Sequence, residues 1–144
     1  MTLNSAVQRM TEELRRVRPF DVLPREALQQ LAAAVHLDFF ESLDALELDP
    51  SNIQHYYLVQ RGAFIVRQGS TVLAHHEAPA IIGWHQALYG EVLTNEVLFT
   101  EESIVLEMPI AETRYLLSKY PQVEDFMKER SGYVLSLGEL SSGS

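Results

Sequence analysis

No cysteine occurs anywhere in this chain. Disulfides and thiolate metal centres are therefore excluded, and redox chemistry gives no clue to the compartment. Lysine and arginine are absent from residues 68–113, a stretch that holds Glu77, Glu91, Glu96, Glu101, Glu102, Glu107 and Glu112. An anion buried by that stretch would find no ammonium or guanidinium in it. No apolar run approaches the roughly 20 residues that span a bilayer, so direct membrane insertion is not expected. The start, Met1-Thr2-Leu3-Asn4-Ser5, has no charged segment followed by an apolar one, so no secretory signal is expected. Zinc-ligand spacing, a nucleophile elbow, internal repeats and low-complexity tracts are all missing.

What remains is the composition of one globular domain: 144 residues, 47% hydrophobic and 22% charged. Lys+Arg number 11 against Asp+Glu 20, for a formal net charge of -9. That sign opposes nucleic acid and acidic lipid surfaces. It suits solubility or a basic partner. The expected location is the cytoplasm.

Leu3, Val7, Met10, Leu14 and Val17 recur at helical steps, and Pro19 ends that helix. Pro24 is placed to open a second helix, with Leu28, Leu31, Ala32 and Val35 on its apolar face. Short apolar runs then alternate with turn residues: 37–40, 56–59, 63–66, 72–74, 80–82, 97–99 and 104–108. Strands at such spacing predict a sandwich or jelly-roll barrel. Helical patterning returns over 110–120 and 123–137, divided by Pro121. The expected fold is mainly β: an eight-stranded jelly-roll barrel with N-terminal and C-terminal helices. One domain covers 1–138, with a helical lead at 1–35, the barrel at 36–109 and C-terminal helices at 110–138. Residues 139–144 read as a tail or linker.

Several segments carry a resemblance. They are Pro19-Phe20-Asp21-Val22-Leu23-Pro24 before the Leu28/Leu31 helix, Tyr57-Leu58-Val59-Gln60-Arg61-Gly62, Ile82-Gly83, and Leu116-Leu117-Ser118-Lys119-Tyr120-Pro121. In this order and spacing, over roughly 19–137, the chain resembles the cyclic nucleotide-binding domain family. The resemblance implies a phosphate-binding cassette from Gly83 onward. In that family a glutamate follows the cassette glycine and accepts a bond from the ribose hydroxyl. Nine residues later an arginine pairs with the cyclic phosphate. Here those positions hold Trp84 and Leu93. Two glycines of the early barrel turns are replaced by Leu43 and Pro50. Removing a charged donor from a buried phosphate would cost about 2–5 kcal/mol. The resemblance, with these departures, implies a regulatory domain that has lost ordinary cyclic nucleotide binding.

A narrower similarity covers Ile82-Gly83-Trp84 and Leu88–Val97. It is to degenerate N-terminal domains of some cyanobacterial peptidase-containing ABC exporters. It implies a module at the cytoplasmic face of a membrane complex, with a transporter as its larger context.

Candidate ligand-pocket residues are Gly83, Trp84, His85, Leu93, Thr94 and Glu96. Trp84 either plugs the old pocket or fills core. Glu96, beside Val97-Leu98-Phe99, either points into the barrel or sits solvated on its strand. His85 and helical N–H groups after Gly83 could still hold an anion. Candidate partner contacts on the last helix are Phe126, Met127, Arg130, Tyr133 and Leu137, which would serve a protein partner, the rest of a larger protein or a homodimer. No metal, cofactor or catalytic residue is expected. A cupin-like enzyme would need spaced histidines, whereas His75 and His76 are adjacent and face opposite ways. The competing expectation is a sensor for a neutral or cationic small molecule in the barrel.

Overall fold

Residues 5–46, 54–84, 95–129 and 134–136 are described by the computed structural model. Helix α1 (Ser5–Arg15) and helix α2 (Arg25–Ala33) flank a 3-10 turn at Phe20–Val22. Pro24 caps α2 from an extended conformation, one residue before the first helical position. Glu12 bridges Arg25 at 3.3 Å and ties the two helices together.

Among the described residues nine strands follow: β1 (His36–Phe40), β2 (Ala45–Leu46), β3 (His55–Arg61), β4 (Ala63–Gln68), β5 (Thr71–Glu77), β6 (Ala80–Ile82), β7 (Glu96–Phe99), β8 (Ser103–Pro109) and β9 (Val134–Ser136). Between β8 and β9 lie α3 (Ile110–Lys119) and α4 (Pro121–Glu129). The strands form two antiparallel sheets, ordered β1-β8-β3-β6-β9 and β2-β7-β4-β5. This is the expected jelly roll with flanking helices.

One expectation is corrected. The last helix was expected to run to Leu137, but α4 ends at Glu129 and Val134–Ser136 pairs with β6 as a strand. Ser131-Gly132 interrupts the helical pattern, and Val134-Leu135 fits a strand as well as a helix. Pairing on β6 is a long-range contact that local periodicity does not reveal.

Alternation along the strands divides the core in two. Between the sheets lie Val59, Phe64, Val66, Ala80, Ile82, Val97, Phe99 and Val105. Between the first sheet and the helices lie Leu14, Phe20, Leu28, Leu31, Tyr56, Leu58, Trp84, Leu106, Met108 and Leu116. Successive residues of β3 alternate between these clusters, as a strand covered on both faces requires.

The β3–β4 turn is set by Gly62, at φ +108°. A Cβ there would stand 2.0 Å from Ser103 Oγ and 2.8 Å from Ser103 Cα. Leu43, where the resembled family has a turn glycine, adopts φ +77° and is mostly exposed. Its N–H donates to Phe99 O at 2.8 Å, and Phe99 N–H donates to Asp44 O at 2.9 Å. These bonds hold the β1–β2 loop against β7 without a glycine.

Candidate functional site

Strand β6 ends at Ile82 and delivers Gly83, which is buried at φ +81°, a conformation that disfavours a side chain. The next side chain, Trp84, is 0% exposed and belongs to the helix-side core. Its ring meets Tyr56 edge-on, with centroids 4.9 Å apart and planes at 81°. Tyr56 in turn hydrogen-bonds Thr113 at 2.8 Å, and Thr113 Oγ1 donates to Pro109 O at 2.6 Å. Burial pushes the Tyr56 phenol far above its ordinary pKa, with the Thr113 bond opposing weakly. Trp84 thus joins β6 to β3 and the helices, on the face opposite the barrel interior. Its Nε1–H has no acceptor among the described residues.

Glu96 opens β7 on the outer face, out of phase with the inward Val97 and Phe99. Its carboxylate accepts two bonds from Arg67 across the β4–β7 pair, at 3.1 Å to Nε and 2.5 Å to Nη2. Of the six expected pocket residues, Gly83 bends the chain after β6, while Trp84 and Glu96 both point away from the barrel interior, from opposite sheets. His85, Leu93 and Thr94 lie outside the described residues. Among the expected partner contacts, Phe126 is half-buried against the helix-side core. Met127 lies on α4. Arg130, Tyr133 and Leu137 lie outside the described residues. His76 stacks on Phe64 at 5.3 Å while His75 faces solvent, so the adjacent histidines do diverge.

A polar constellation emerges from strand register. His36 and Tyr57 both lie opposite Glu107, and Asp38 lies opposite Val105, an interior residue. Cross-strand partners share a face, so His36, Asp38, Tyr57 and Glu107 line the interior face of the first sheet. His55, two residues before Tyr57, shares that face. Tyr57 pairs with Ile82, so the group stands beside the end of β6. Burial holds the Glu107 carboxyl above the usual carboxylate range. Charge on Asp38, and a side-chain hydrogen bond with it, add to that rise, while His55 and His36 oppose it. The Tyr57 phenol is also raised, by burial first and then by Glu107 and Asp38. Among the described residues no group of three or more histidines and carboxylates is disposed to hold a metal ion. Sequence reasoning missed this constellation because its members sit on three separate strands; its only local signal was Glu107, out of place in the apolar run of β8.

Among the described residues no helix is long and apolar enough to cross a membrane. No protein-family model and no curated protein matches the chain. Solved structures do. The regulatory domain of Toxoplasma gondii PKA with cAMP superposes with a TM-score of 0.67 at 16% identity, over 90% of this chain and 49% of that one. The regulatory subunit of a cAMP-independent protein kinase A from Trypanosoma brucei gives 0.73 at 15% identity, over 87% and 47%. The corresponding subunit of a cAMP-independent protein kinase A from Trypanosoma cruzi, bound to guanosine, gives 0.66 at 17% identity, over 85% and 47%. The chain spans about half the length of each. At these identities the likeness shows the fold alone, a two-sheet barrel with flanking helices like that of these regulatory chains.

Proposed function

We propose that this domain is a noncatalytic regulatory or protein-interaction module whose barrel no longer binds ordinary cyclic nucleotides. The observation that carries the reading is the fate of Trp84. It stands where the resembled family has its ribose-binding glutamate, yet it is wholly buried on the helix side of the first sheet. A second support is charge. The interior face of the first sheet carries the carboxyl groups of Asp38 and Glu107, which disfavour a phosphate, and Arg67, the cation of β4, is paired with Glu96 on the outer face. A third is Leu93 at the position of the phosphate-binding arginine. Burying a phosphate without a charged donor costs several kcal/mol, roughly 2–5 for one lost pair. The barrel then acts as a rigid scaffold. The terminal helices and the surrounding surface contact a protein partner, the rest of a larger protein or a second copy. The fold is shared with regulatory subunits described as cAMP-independent. Calorimetry with cyclic AMP, cyclic GMP and cyclic di-GMP is expected to register no binding. A fit in the low micromolar range would overturn the reading.

A second reading is favoured by the interior constellation. His36, Asp38, His55, Tyr57 and Glu107 offer acceptors and negative charge beside the cassette, suited to a neutral hydroxylated or cationic small molecule. A chain of this fold is described bound to guanosine, a nucleoside without phosphate. A thermal-shift screen of nucleosides, polyols and amines separates the two readings. Stabilisation that is lost in Glu107→Gln would favour the sensor.

A further inference from the structure

We propose that the free edge of β1 is a docking surface for an extended basic segment of another protein, which adds to the first sheet as a strand. Among the described residues β1 has one paired neighbour, β8, so its other edge offers unpaired backbone groups. Its outer face carries Leu37 and Phe39, 45% and 72% exposed, where an ordinary strand face would be polar or covered. Each borders a hollow. Leu37 lines a groove of about 540 Å³ floored by Val7, Met10, Ala32 and Val35. Phe39 lines a second of about 450 Å³, with Phe40 and Ile104. Residues two apart on a strand are separated by roughly 7 Å, which is also the pitch of alternate side chains in an added strand. The spacing therefore suits an extended occupant better than a helix.

Charge selects its chemistry. Glu41 and Glu102 line the Phe39 hollow, with Asp44 and Glu101 exposed beside it, and among the described residues Arg61 is the one cation lining it. The Leu37 groove is balanced, with Arg9 against Glu13, and Glu13 already accepts a bond from Gln60. The partner is thus a segment with alternating apolar residues and lysine or arginine toward the Phe39 end. This inference rests on reading the chain as an interaction module and places the contact on β1 and the adjoining faces of α1 and α2; the nucleotide test above does not involve that face, so failure of one leaves the other untouched.

The test uses the full chain and a phage-displayed random peptide library. Wild type is expected to enrich peptides that alternate apolar residues with lysine or arginine. A synthetic copy of the enriched sequence should bind more weakly as salt rises, and should slow amide exchange over residues 36–40. Phe39→Ser should lose about tenfold or more in affinity for it. The double variant Glu41→Lys with Glu102→Lys should reject it and enrich acidic peptides instead. These side chains are exposed, so unchanged unfolding midpoints confirm that each variant is folded. The proposal is overturned by no enrichment, by peptides without basic bias, or by binding that survives Phe39→Ser. It is also overturned if the chain dimerises through β1, seen as sedimentation that Phe39→Ser returns to monomer while no peptide is selected.

Discussion

Restoring the glutamate of the resembled family, Trp84→Glu, should damage the fold and gain no nucleotide affinity. A buried tryptophan removes roughly 150–250 Å² from water. At about 25 cal/mol per Å² this amounts to about 4–6 kcal/mol. Edge-on contact with Tyr56 adds about 0.5–1.5 kcal/mol. Glutamate fills little of that volume and carries a carboxyl into an apolar cluster that includes Phe20, Leu28 and Leu31. The expected loss is at least about 4 kcal/mol, a large part of the 5–15 kcal/mol typical of a domain. Trp84→Phe makes the control. It leaves a smaller void and removes an indole N–H that has no acceptor among the described residues, so its loss should be below about 2 kcal/mol. The assay is urea unfolding followed by far-ultraviolet circular dichroism, because these variants remove the only tryptophan. If Trp84→Glu unfolds within about 1 kcal/mol of wild type, the indole is not a core residue. If that variant also binds cyclic AMP, the account of the lost pocket is wrong.

Other outcomes follow from single residues. Gly62→Ala should cost about 2–4 kcal/mol, from backbone strain and the clash with Ser103; Ser103→Gly should rescue it only in part, since Ser103 Cα is itself 2.8 Å away. Leu43→Gly should stabilise by about 0.5–1 kcal/mol, because relief of the left-handed backbone outweighs the added entropy of the unfolded chain. Tyr56→Phe should cost about 1 kcal/mol in urea unfolding, leaving Thr113 its bond to Pro109. Glu107 titrates above the usual carboxylate range when folded, so its contribution is complete below that range and is lost as pH climbs through the raised value. Unfolding midpoints of wild type should therefore fall with pH across that window relative to Glu107→Gln; parallel profiles would show that the carboxyl is unperturbed.

Element order was legible because the periods are clean. Leu28 and Leu31 recur at helical steps, β3 alternates between two buried faces, and β5 alternates between exposed and half-buried residues over 73–77. Strand β2 escaped notice because two residues have no period. Strand β9 did so because its pairing with β6 is non-local. The site was less legible. Gly83 bends the chain at positive φ, so alternation along β6 does not tell which face Trp84 takes. Glu96 had two readings, inward or solvated on its strand, and strand phase with the bond to Arg67 selects the outward one. The carboxyl pair of Asp38 and Glu107 depends on the register of β1 against β8, which no local pattern encodes.

The most direct measurement is a cyclic AMP titration of the isotope-labelled chain followed by amide NMR. The account predicts no saturable shift at Ile82, Gly83, Val97 or Phe99 up to millimolar nucleotide (a Kd of 1 mM is only about -4 kcal/mol). Saturable shifts at those amides with a micromolar midpoint would contradict it.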